Sequence, residues 1–112
     1  MLTAAYQRTA DAYSRREYLK VVSILKPALM KAPRFADGHH LLGLAYDLQN
    51  KHSDAEKSIK AALVVREAAQ YYFNLGLVQA ALENHDGAVA TYRNALRMNP
   101  NDAKAASNLG NI

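Results

Sequence analysis

At 112 residues the chain is one domain or a piece of one, with room for a modest core. Half of it is apolar or aromatic and it has no cysteine, which excludes disulfides and thiolate metal sites. Its apolar stretches fall far short of the ~20 residues of a membrane span, and the net charge of +4 with a pI near 9.4 is only mildly basic.

Glycine and proline are few, and Ala, Leu, Lys, Glu and Arg dominate, so an all-α fold is expected. The opening "MLTAAYQRTADAYSRR" carries polar groups throughout and lacks an apolar signal core, so the expectation is a cytoplasmic chain with no membrane partner.

In chain order the pattern divides into a single domain, 1–112, of units at about 3–35, 36–68 and 69–102, with a lone helix at 103–112. The first unit places Tyr6, Ala10 and Tyr13 on one helix and Val21, Leu25 and Ala28 on the next. Pro27 lies inside that second helix, where it removes a backbone hydrogen bond and predicts a kink. The middle unit has His39, Leu42-Gly43 and Tyr46, a turn at "QNKHSD", then Ala55, Ile59, Ala62 and Leu63. Ser53 and Glu56 read as a capping box, and "VVREAA", lacking proline, predicts a more helical exit. The third unit has Tyr72, Leu75-Gly76 and Gln79, a turn at "ENHDG", then Ala88, Tyr92, Ala95 and Pro100.

The spacings agree throughout. Gly43 to Gly76 is 33 residues, Gly76 to Gly110 is 34, and Ala10 stands 33 before Gly43. A glycine in mid-helix costs about 1 kcal/mol against alanine, so its recurrence marks places where two helices approach closely. A helical hairpin cannot bury its own apolar face, and successive units must stack. Tyr6, Tyr46, Tyr72 and Tyr92 are assigned to packing, which leaves Phe73 as the aromatic free to bind something.

These residues resemble the tetratricopeptide repeat family, whose run of aromatic, Leu-Gly, Tyr, Ala, aromatic, Ala and Pro recurs here. The middle unit meets it at His39, Leu42-Gly43, Tyr46, Ala55, Ile59 and Ala62, and the third at Tyr72, Leu75-Gly76, Ala88, Tyr92, Ala95 and Pro100. The resemblance implies a right-handed superhelix of stacked antiparallel helix pairs, with a concave groove lined by the first helices. It further implies a non-catalytic scaffold that binds a protein or peptide there. Projected onto this chain, the peptide-binding positions are His40, Leu44, Asp47, Phe73, Asn74, Leu77, Lys104 and Asn108, flanked by Gln7, Arg8, Asp11, Ser14, Asp37, Leu41, Leu48, Gln70, Ala81, Ser107 and Asn111.

Two finer patterns belong to the same resemblance. Asn74 and Asn108, 34 apart, are similar to an asparagine ladder that would bond a peptide backbone; Leu41 and Arg8 break it. The family's two-carboxylate clamp for acidic tails is matched only at Asn74 and Lys104. His40, Leu44 and Asn108 depart from it, and the clamp is expected to be absent.

Other chemistries find little support. His39 and His40 point about 100° apart on a helix, and His52 and His85 share one repeat position, so no metal or cofactor is expected. No serine has a His and Asp context, so no catalytic residues are assigned. Lys20, Lys26, Lys31, Lys57, Lys60, Arg66, Arg93 and Arg97 fall mainly on second helices, mixed with Glu17, Glu56 and Glu67, which reads as a solvated outer face and no nucleic-acid site. The alternative reading is a unit of a longer array, such as one attached to a transferase, or a homo-oligomer joined through the C-terminal helix.

Overall fold

The computed structural model describes residues 2–111; Met1 and Ile112 lie outside them. The described residues form seven helices: α1 (Leu2–Ser14), α2 (Tyr18–Lys31), α3 (Ala36–Asp47), α4 (His52–Val65), α5 (Ala69–Ala81), α6 (His85–Met98) and α7 (Ala103–Gly110). α1–α2, α3–α4 and α5–α6 pack as hairpins, and each second helix also packs on the first helix that follows, with α7 seated on α6.

The core lies between units. One cluster joins Ala12, Val21, Leu25 and Leu29 of the first hairpin to Leu41, Leu42 and Ala45 of the second. Another joins Ala36, Ala55, Ile59 and Ala62 to Tyr71, Leu75 and Val78 of the third. This is the arrangement a stack requires, since the apolar face of each hairpin is completed by its neighbour.

Gly43 and Gly76 stand where helices meet. A Cβ on Gly43 would lie 2.6 Å from Ile59 Cγ1 and 3.1 Å from the Ala55 carbonyl oxygen. On Gly76 it would run into the Tyr92 ring, 2.7 Å from Cδ1 and 2.8 Å from Cζ. The close approach inferred from the Leu-Gly spacing is therefore physical.

The turns repeat as well. Arg16, Asn50 and Glu83 all take positive φ, at 62°, 61° and 61°. The backbone closes each first helix by Glu17 N–H to Ala12 O, Lys51 N–H to Tyr46 O and Asn84 N–H to Gln79 O, all 2.9 Å. Counting back from these bonds puts Thr9, not Ala10, in the place of Gly43 and Gly76. Thr9 is fully buried and Ala10 is exposed; in this register the first turn closes over the same span as the other two, and the repeat from Thr9 to Gly43 is 34 residues.

Three other expectations need correction. The buried tyrosine of α5 is Tyr71, 3% exposed, whereas Tyr72 is part-exposed and donates its hydroxyl to Glu67. No capping box opens α4: its cap is Lys51, without a side-chain bond. Glu56 instead accepts from Gln79 at 3.3 Å and pairs with Lys60 at 3.5 Å. The exit from α4 is extended, with Arg66 at φ −157°, ψ 134° and Ala68 at φ −151°, ψ 138°. Pro27 lies inside α2 as expected and is exposed, so the carbonyl it cannot serve is within reach of water.

Candidate functional site

α3 and α5 touch directly, and the side chains that join them define one face of the stack. Where first helices meet each other, the array is tightest, which makes this its concave side.

The N-terminal half of that face is polar and closed on itself. Asp37 of α3 accepts from the Tyr71 hydroxyl of α5 and from Arg66 Nη2 at 2.8 Å. The Arg66 guanidinium also lies 5.1 Å from the centre of the Tyr71 ring, a cation–π distance. The other side of this cluster is His40, its ring 4.6 Å from that of Tyr71. Asn74 Nδ2 reaches His40 Nε2 at 2.8 Å, so that nitrogen accepts. Burial pushes the His40 pKa down to about 4, opposed by Asp37 and aided by Arg66. The ring is neutral at pH 7. Burial, then the bond to Asp37, raises the Tyr71 pKa, so the phenol stays protonated and donates.

The C-terminal half is hydrocarbon. Leu44 is part-exposed, and Leu48 and Leu77 are 49% and 40% exposed. Phe73 is part-buried, its ring 6.2 Å from that of Tyr92. It lines a recess of about 110 Å³ with Gln70, Asp102 and Lys104. An open cavity of about 630 Å³ follows at the end of the face, lined by Leu77, Ala80, His85, Asp86, Tyr92, Asn108 and Asn111.

The eight positions singled out from the sequence thus differ in character. Leu44, Phe73, Leu77 and Lys104 present surface. Asn74 is 8% exposed and engaged with His40. Asn108 lines the open cavity together with Tyr92. Asp47 accepts from or pairs with His52 Nδ1 at 2.7 Å, at the turn. Among the flanking positions, Leu41 belongs to the core, Ser14 bonds the Asp11 carbonyl, and Asp11 pairs with Arg15 at 3.5 Å. Tyr71 was not anticipated, and Arg66, expected on the solvated outer face, is instead bonded to Asp37 and Tyr71. The signal was present, since Asp37 and Tyr71 are 34 apart, one period, with an acid facing a phenol. Among the described residues no group of three or more His, Asp or Glu is placed to hold a metal ion, and no helix is long and apolar enough to cross a membrane.

No curated protein is significantly similar in sequence. Solved structures are similar in fold. The first TPR of Spaghetti (RPAP3) bound to the HSP90 peptide SRMEEVD superposes with a TM-score of 0.93 at 17% identity, over 97% of this chain and 87% of that one. The second TPR domain of human RPAP3, in complex with an HSP70 peptide, gives 0.91 at 16%, over 96% and 90%. The type III secretion chaperone SycD of Yersinia enterocolitica, in complex with a peptide of the translocator YopD, gives 0.92 at 13%, over 98% and 90%. The tetratricopeptide repeat family pattern itself matches residues 40–103 and 73–112. With that match over more than half its length, and three helix pairs stacked as the repeat requires, the chain belongs to the tetratricopeptide repeat family.

Proposed function

We propose that this chain is a non-catalytic module that binds a peptide segment of another protein across the face formed by α3, α5 and α7. The carrying observation is the exposed hydrocarbon of Leu44, Leu48 and Leu77 beside Phe73 on the concave side. Exposed apolar side chains gathered in a concavity are a binding feature more often than scattered ones are. The three similar structures named above hold peptides, which supports the same use here. Within this reading Leu44, Phe73 and Leu77 anchor the peptide. Lys104 meets its flank, Asn108 lines the end of the path, and His40, Asn74 and Asp47 hold the walls in position.

Selection from a random peptide library on the immobilised chain tests this. Selected peptides should lose binding to Leu77→Asp and to Phe73→Ala, and keep it for Val64→Asp on the opposite side, where Val64 is 84% exposed. Equal loss in Val64→Asp, or no selectable peptide, contradicts the proposal.

A further inference from the structure

We propose that the concave face takes an internal apolar stretch of its partner and does not read a free chain end. This narrows the ligand class and rests on the peptide-binding reading. A terminal carboxylate taken out of water needs cations or N–H donors that are not already used. Where α3 meets α5 the donors are used. Arg66 is bonded to Asp37 at 2.8 Å and covers Tyr71, the Tyr71 hydroxyl goes to Asp37, and Asn74 goes to His40. Next to them Leu44 offers only hydrocarbon. From α3 to α7 the cation on this face without an ion pair among the described residues is Lys104, and it is exposed. One exposed ammonium holds a carboxylate weakly.

What the face leaves open is a lane of apolar side chains. An occupant that sets its own apolar residues along that lane removes hydrocarbon on both sides from water, and that burial drives association. The cation it meets is Lys104, beside Phe73 in the same recess, where the Asp102 carboxylate is turned to the Ala105 N–H as the cap of α7. An acidic side chain flanking the apolar run at that end therefore adds to binding, through a side chain rather than a terminus.

Fluorescence anisotropy with two probes decides it. One is a leucine-rich peptide of about 12 residues, acetylated and amidated, with a glutamate beside the run. The other is SRMEEVD, prepared with a free and with an amidated C-terminus. The leucine-rich probe should bind about tenfold or more tighter than SRMEEVD, and amidation should change the SRMEEVD Kd by less than about twofold. Leu77→Asp should remove binding of the leucine-rich probe, with helicity checked by circular dichroism; if that variant misfolds, Leu48→Asp, at a more exposed position, gives the same readout. Lys104→Ala should weaken the leucine-rich probe by about threefold, and only at low salt.

Tighter binding of free SRMEEVD, lost on amidation, overturns this inference and leaves the peptide-binding reading standing. Failure of both probes together with failure of the library selection overturns the reading, and the inference with it.

Discussion

Tyr71 donates its hydroxyl to Asp37, one repeat earlier, and so ties the third unit to the second across the concave face. Arg66 joins the same carboxylate from the extended link between α4 and α5. The next residue of that link, Glu67, turns the other way, accepting from Tyr72 and, at 3.0 Å, from Arg97 at the end of α6. Two adjacent residues of opposite charge thus fasten the link on both sides, at the place where the third unit carries Pro100 and the second has none.

Asp37→Ala should destabilise the fold by about 2 kcal/mol, because it leaves the buried Tyr71 hydroxyl without its acceptor. Tyr71→Phe removes the donor instead and should cost about 1 kcal/mol. The double variant should cost less than the sum, since both changes break one bond. Urea unfolding of the four proteins measures this, and strict additivity would count against the pair.

The mid-helix glycines answer differently from the terminal one. Gly76→Ala should destabilise by about 2 kcal/mol despite alanine's better helix propensity, because the new methyl meets the buried Tyr92 ring. Gly43→Ala faces the Ile59 side chain and the Ala55 carbonyl, and should cost about 1 kcal/mol. At Gly110 nothing lies within 4 Å of the added carbon, and the substitution should be neutral or slightly stabilising. Thermal unfolding in that rank order is the expected result.

His40 predicts a pH dependence with a definite sign. Its folded pKa, about 4, lies below the ordinary 6.5, so between those values the unfolded chain binds more protons. Stability is then complete above pH about 6.5 and falls as pH drops toward about 4, by an amount on the order of 2 kcal/mol. The Glu67 carboxyl, held low first by Tyr72 and then by Arg97, contributes only at lower pH. His40→Gln should flatten the curve between pH 6.5 and 4.5; an unchanged slope would show that other groups set it.

The period, the helix pairs and the close approaches at Gly43 and Gly76 were legible because they repeat, and repetition averages out ambiguity at single positions. What failed was local. "YYF" at 71–73 offers three adjacent aromatics, about 100° apart on a helix, and the repeat alignment chose Tyr72 for the core where packing chose Tyr71. Ser53-x-x-Glu56 has capping-box spacing, but Glu56 is drawn to Gln79 and Lys60, partners one helix or one turn away. The asparagines at 74 and 108 fit a ladder by spacing, yet Asn74 is engaged with His40 inside the fold. Side-chain commitments of this kind depend on neighbours distant in sequence, which periodicity does not encode.

Whether the face of α3, α5 and α7 is where a peptide sits can be read most directly by amide chemical-shift mapping with the blocked leucine-rich peptide. Shifts that concentrate on Leu44, Leu48, Phe73, Leu77 and Lys104 are the predicted result. Shifts confined to α2, α4 and α6, on the opposite side of the stack, would contradict it.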